Sequence, residues 1–273
     1  MSATTWVLLR GLTREAGHWG AFPATLCEHL HGARVLAIDL PGNGGLHRAR
    51  SPVRIEDYVE SCRTQLAALG VAAPVRLLAM SLGAMVAVDW ARRHPEELAG
   101  CVLVNTSLRP FSPWFRRLRP ANYGALLGLL RPGQGPRARE ETILRLTSRH
   151  LWRGAEVVDA WVALREAHPV TAANALRQLL AAMRYRASRR APAVPLLVLA
   201  SPRDGLVDGR CSRRVAEAWG AEILEHPSAG HDLPLDDGPW VARQVAAWTG
   251  LGAADPAAAT SCRSPASAHS PAA

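Results

Sequence analysis

The sequence predicts an α/β fold: a mostly parallel sheet with helices on both faces and an inserted helical segment. Three observations carry this. Short segments that are apolar throughout, such as "VRLLA" from Val75 and "VPLLVLA" from Val194, alternate with amphipathic stretches, as strands buried on both faces do between covering helices. The span Thr106–Arg190 holds no convincing strand. The chain's 273 residues, 48% of them hydrophobic, suffice for one large domain with a sizeable core.

In chain order, "WVLLR" reads as a strand and "HWGAFPATLCEHLHG" as a helix ended by glycine. "ARVLAIDLPGNG" is a strand entering a Gly/Pro turn. "IEDYVESCRTQLAALG" is a helix, "VRLLA" a strand, "LGAMVAVDWARRH" a helix and "GCVLVN" a strand. Phe111, Trp114, Phe115 and Leu118 fall at i, i+3, i+4 and i+7 and predict an amphipathic helix, with Arg116, Arg117 and Arg119 on its other side. Further helices are predicted at "REETILRLTSRHLW", "AEVVDAWVALREAH" and "TAANALRQLLAAMRYR". "VPLLVLA" and "AEILEHP" are strands flanking the helix "CSRRVAEAWG", and "PWVARQVAAWT" is a last helix. The expected division is a first core segment 1–105, a helical cap 106–190, a second core segment 191–250 and a low-complexity, disordered tail 251–273.

No apolar run is long enough to span a membrane. The start lacks the features of a secretory signal, so a cytoplasmic location is expected. Five widely spaced cysteines (Cys27, Cys62, Cys101, Cys211, Cys262) without a CxxC pair predict reduced thiols rather than a zinc site or a disulfide framework. The net charge is +9, and every basic residue counted in it is arginine. From Arg109 to Arg190, 16 arginines face five acids, a net of +11 that leaves −2 for the rest. No recognition motif accompanies this charge, so nucleic acid is not expected as a partner.

Between "VRLLAM" and "LGAMVAVDWARRHP" stands Ser81. A strand, a sharp turn with serine at its apex and a helix make a nucleophile elbow. The neighbours two away must be small, and here they are Ala79 and Gly83. The turn would project the hydroxyl above the sheet at a helix N-terminus, whose free N–H groups favour a developing oxyanion. The plainer reading is that Ser81 only caps a buried helix.

A serine hydroxyl needs a base, and the base a carboxylate. Asp204 lies in "SPRDGLVD" after one strand and His231 in "SAGHDLPLDD" after the next. Both loops leave the sheet edge where catalytic groups gather in open α/β sheets. Asp208 is the nearest substitute acid and His226 a weaker rival base; helix context accounts for His18 and His94. A second oxyanion donor is expected in the loop after the first strand, where Gly11 permits close approach and the amide of Leu12 would join that of Leu82.

On these pieces the sequence resembles the α/β-hydrolase superfamily, in its branch of small single-domain serine esterases with a helical cap. The matching pieces are "LLRGL" with "HW", "AIDLPGNG", "AMSLGA", "PRDGLV" and "AGHDLPLDD". It is similar in style to pimeloyl-[acyl-carrier protein] methyl ester esterases and to menaquinone-pathway hydrolases. The resemblance implies ester cleavage through an acyl-enzyme by Ser81, His231 and Asp204, and no cofactor or metal; because the sequence starts at the strand before the oxyanion loop, without the family's usual leading hairpin, a sheet of about six parallel strands is expected. Arg10 stands where the family usually has histidine; it is expected to pair with an acid such as Asp39, or else to reach a substrate carboxylate. Trp19, Phe111, Trp114 and Phe115 are candidates to line an acyl pocket, or they pack the cap. The expected partner is a small acyl ester, and the basic cap could dock an acidic acyl carrier protein or be a solvated face. Carbon–carbon hydrolysis or elimination with the same residues, and a non-catalytic binding protein, are the other readings.

Overall fold

The computed structural model describes residues 5–31, 33–129, 133–150 and 154–250. The strands are β1 Thr5–Leu9, β2 Arg34–Ile38, β3 Val75–Met80, β4 Leu98–Val104, β5 Leu196–Ala200 and β6 Glu222–Glu225. They form one six-stranded sheet in the order β2-β1-β3-β4-β5-β6, with every neighbouring pair parallel. The chain moves outward from β1 to β2, returns past β1 to β3, and continues to the far edge. The order therefore reverses between β1 and β3, where the loops leave the strands in opposite directions and open a crevice.

The sheet's two faces follow the two-residue period of its strands. Val7, Leu9, Leu77 and Ala79 point to one core, packed with Ile55, Val59 and Leu66 of α2 (Ile55–Ala68), with α3 (Leu82–Arg93), and with Val215 and Trp219 of α9 (Arg210–Trp219). Trp6, Leu8, Leu78 and Met80 point to the other, packed with Phe22 and Leu26 of α1 (Phe22–His29) and Val241 and Val245 of α10 (Leu233–Trp248). Between β4 and β5 come α4 (Trp114–Arg117), α5 (Tyr123–Gly128), α6 (Pro136–Thr147), α7 (Gly154–Ala167) and α8 (Ala172–Arg184). Among the described residues the backbone pairing in this span is one isolated bridge between Arg109 and Arg186.

Three expectations are corrected. The helix predicted through Phe111–Leu118 is only Trp114–Arg117, with Pro113 at its N-cap and Pro120 opening the next short turn. A proline cannot continue a helical hydrogen-bond ladder, so the i, i+3, i+4, i+7 stripe is not one helix face. The helix predicted from His18 is instead a 3₁₀ turn, Ala16–Trp19, followed by α1 with its proline at the start. Cys62, Cys101 and Cys211 are free buried thiols, but Cys27 is disulfide-bonded, against the expected reduced state. Cys262 and the predicted tail lie outside the described residues. Among the described residues, no helix is long and apolar enough to cross a membrane.

Candidate active site

Ser81 ends β3 as the N-cap of α3, with φ +53 and ψ −116. A non-glycine residue in this left-handed region carries strain of about 1–3 kcal/mol. Its amide donates to Val104 O at 3.2 Å, which ties the turn to the end of β4. Gly83 explains how the turn fits: a Cβ there would lie 2.5 Å from Leu9 O and 2.7 Å from Arg10 O. A Cβ on Gly11 would come within 3.1 Å of the Ser81 Cβ. The loop after β1 thus lies against the serine. Neither the Leu12 nor the Leu82 amide donates to another group among the described residues.

His231 and Asp204 meet in the loops after β6 and β5. The His231 Nδ1–H donates to Asp204 Oδ2 at 2.7 Å, and both side chains are buried. Asp204 Oδ1 accepts the amides of Leu206 and Val207 at 2.8 and 2.9 Å, fixing the carboxylate. Burial opposes a charge on His231, but the Asp204 charge and hydrogen bond, with help from Asp232, outweigh it. Its pKa therefore stands above the ordinary imidazole value.

Two links tie this loop to the segments that flank Ser81. Asn105, the residue after Val104, donates to His231 O at 2.8 Å and Gly230 O at 3.1 Å, and its Oδ1 accepts from Ser201 N at 2.8 Å. On the other side, Arg10 donates two parallel hydrogen bonds to Asp232, at 3.0 and 2.6 Å. Among the described residues no hydrogen bond joins the Ser81 hydroxyl to the His231 ring; such contacts often tighten only around a bound substrate. Ser81 is thus partly exposed, and the His231 imidazole is anchored by a buried carboxylate.

Residues 3–237 match the family model Hydrolase_4, described as Serine aminopeptidase, S33. The chain belongs to this family of α/β-hydrolases. It is 31% identical over 240 residues, 85% of each chain, to the "Putative carbamate hydrolase RutD" of Klebsiella pneumoniae (strain 342). It is 34% identical over 102 residues to the biotin biosynthesis bifunctional protein BioHC of Teredinibacter turnerae, a match covering 37% of this chain and 17% of that protein. The fold is shared with the enol-lactonase of Burkholderia xenovorans LB400, at TM-score 0.75 and 20% identity, covering 92% of both chains.

Within this family frame, Arg10 pairs with Asp232 and not with Asp39, which accepts the amides of Ala16 and Gly45. Arg10 also lies 4.7 Å over the ring of Trp19 and donates to Met80 Sδ. Burial opposes a charge on Asp232, but Arg10 holds its carboxyl below the usual carboxylate range. The pair links the residue beside Gly11 to the residue beside His231. Of the rival groups, Asp208 is paired with Arg210 at 2.7 Å, and His226 with Asp237 at 3.1 Å. Burial, with Arg14 and Arg10 nearby, pushes the His18 imidazole far below its ordinary pKa. His94 is held between Glu60 and Glu96.

The four candidates for an acyl pocket separate. Trp19 is buried against Phe22 beneath Arg10, and Phe111 packs edge-on against Trp219 at 5.2 Å. Both make packing contacts inside the domain. Trp114 is 67% and Phe115 45% exposed.

The cap is fastened to the rim by buried polar side chains that sequence pattern did not single out. Gln178 of α8 accepts from Thr13 N at 2.7 Å and donates to Asn43 Oδ1 at 2.8 Å and Ser51 Oγ at 3.1 Å. Fully buried Glu140 of α6 pairs with Arg14 and Arg165. Asp236 accepts from Gly230 N at 2.6 Å, Arg149 N at 3.0 Å and the Ser148 hydroxyl, so the end of α6 covers the histidine loop. For Gln178 and Glu140 the only signal was a polar residue breaking an apolar helix face.

Proposed function

We propose that this chain is a serine hydrolase that cleaves a small carboxylic ester through an acyl-enzyme. The observation that carries this reading is a serine held at φ +53 on a strand–helix turn, on the rim that also carries an imidazole bonded to a buried carboxylate. In the proposed cycle His231, oriented by Asp204, takes the Ser81 proton as Oγ bonds to the ester carbon. The amides of Leu12 and Leu82 stabilise the oxyanion, each worth on the order of 3 kcal/mol in the transition state. The carbonyl re-forms, the C–O bond to the alcohol breaks, and His231 protonates the leaving oxygen. Water, activated by the same imidazole, releases the acid and restores Ser81.

A carbamate is the second reading, favoured by the likeness to RutD over 85% of the chain. The same nucleophile and base serve it, with an amine or alcohol leaving. The test is labelling by a fluorophosphonate probe, followed by a panel of p-nitrophenyl esters and carbamates. The expected result is one label per chain, lost in Ser81→Ala, with faster turnover of esters than of carbamates. No labelling, or undiminished labelling of Ser81→Ala, overturns the serine mechanism; carbamates outpacing esters at matched acyl size replaces the ester reading with the second.

A further inference from the structure

Exposed apolar and exposed basic side chains are both concentrated in the cap. Of the seven large hydrophobic side chains that stand exposed among the described residues, six fall within 106–190: Trp114, Phe115, Leu127, Leu176, Leu179 and Met183. Leu176, Leu179 and Met183 follow one another along one stripe of α8. The opposite stripe of that helix is buried, with Asn174, Gln178 and Ala181 turned inward. The short helix α4, carrying Trp114 and Phe115, is fixed to the end of α8. Arg117 donates to Ala182 O at 2.8 Å, and Arg109 to Met183 O at 3.3 Å.

The arginines around this end are exposed: Arg109, Arg184, Arg186, Arg189 and Arg190. None is paired with a carboxylate among the described residues. Arg184 and Arg186 also line a groove of about 630 Å³, whose other charged residues are Arg54, Arg92, Glu56 and Asp89; Glu56 is paired with Arg54 and Arg93, and Asp89 with Arg92 and Arg93. Tyr185 lies between them, 8% exposed, and its buried hydroxyl has no hydrogen-bond partner. Two arginines left without a carboxylate at the end of α8, next to the projecting Met183, suit a phosphate group attached to an apolar phase.

We propose that this face of the cap is a docking surface for an anionic phospholipid bilayer. Trp114, Phe115, Leu179 and Met183 enter the interfacial layer, and Arg184 and Arg186 engage lipid phosphates at the mouth of the groove. Charge selects the occupant: a second copy meeting this face by two-fold symmetry would oppose two segments of like charge, each +11 in sequence. Shape selects further. Side chains 67% and 59% exposed, as Trp114 and Met183 are, project from the surface. A folded acidic partner would need a pocket for each, whereas a fluid acyl layer makes room without one. The contact is peripheral, since no described helix is long and apolar enough to span. It also sets the bilayer against the outer side of α8, whose inner side holds the loop of Leu12 through Gln178 and Thr13.

Flotation of the full chain with vesicles tests this directly. Phosphatidylglycerol in phosphatidylcholine is compared with phosphatidylcholine alone, at low and high salt. The expected result is binding to the anionic vesicles, at least about tenfold tighter than to neutral ones and weakened by salt. Arg184→Gln/Arg186→Gln weakens it by about fivefold per arginine, and Trp114→Ser/Met183→Ser weakens it as well. Unchanged thermal midpoints show that these surface variants are folded. Failure to float with anionic vesicles, equal flotation with both kinds, or indifference to both double variants overturns the proposal. So does dimerisation abolished by Met183→Ser, or capture of an acidic acyl carrier protein with the same dependence on both variants while vesicles stay unbound. Vesicle binding does not require Ser81, so its outcome is separable from that of the hydrolase reading.

Discussion

The rim of the sheet and the outer face of the cap use arginine under opposite conditions. At the rim, Arg10 and Arg14 are 3% and 7% exposed, and each is held by a buried carboxylate and an aromatic ring. On the cap, Arg184, Arg186, Arg189 and Arg190 are exposed and form no ion pair with a carboxylate among the described residues. A buried guanidinium requires a partner because an unpaired buried charge is costly, so rim arginines act inside the protein by fixing loops. An exposed one has no such requirement and is free to face outward. The +11 of the cap segment is therefore not one property: Arg165, spent on Glu140, belongs with the rim in kind.

Substitutions separate the two regions, and the largest effect is expected at the rim. Asp204→Asn should lower kcat/KM by about 10⁴-fold. It also removes what keeps the His231 pKa above the ordinary value while leaving burial in place. The neutral base then persists to lower pH, and the acid limb of the pH–rate profile moves down. Rate–pH profiles of wild type and variant check both; an unmoved limb separates Asp204 from the titrating base.

Breaking the Arg10–Asp232 pair comes next. Arg10→Gln leaves Asp232 buried and uncompensated, costing about 3–5 kcal/mol in urea unfolding. It also removes a positive charge that lowers the His231 pKa and exposes His231 to the full charge of Asp232. The acid limb should move up, opposite to Asp204→Asn. A limb that stays put while stability falls would make the pair purely structural. Replacing both residues by Met and Leu should recover much of the lost stability.

Gln178→Leu tests the fastening between the regions. It strands the Thr13 amide and the partners of the carboxamide, at about 1–3 kcal/mol. Because Thr13 follows Leu12, kcat should fall more than KM rises; the reverse would place Gln178 in substrate binding. On the outer face, Met183→Ser should change stability by no more than about 0.5 kcal/mol. A larger loss in thermal or urea unfolding would mean that this face is packed against something and would erase the contrast.

How much of this was legible in the sequence follows the same division. β1, β3, β4 and β5 stood out as short, almost wholly apolar runs buried on both faces; the edge strands β2 and β6, with exposed Arg34, Glu222 and Glu225, stood out as short segments with apolar centres between helices. Ser81, Asp204 and His231 stood out because each follows such a strand in the order the fold uses. What pattern did not reveal depends on distant contacts. Arg10 meets Asp232 across 222 positions, and the nearer-looking Asp39 is occupied by the amides of Ala16 and Gly45. Asn105, at φ +44, looked like the end of a strand, yet its carboxamide bridges the loops of both Asp204 and His231. The aromatic stripe from Phe111 to Leu118 misled because helical spacing was counted across Pro113, the N-cap of a helix that begins only at Trp114.

The central claim is that Ser81 carries the acyl group between two half-reactions. Acid-quenching the enzyme during turnover of p-nitrophenyl acetate, with mass spectrometry of the digested chain, tests it most directly. The account predicts one acetyl group on the peptide containing Ser81, accumulating in Asp204→Asn if deacylation slows more than acylation and absent in Ser81→Ala. Turnover with no acyl group on that peptide at any quench time, or an acyl group elsewhere that persists in Ser81→Ala, contradicts it.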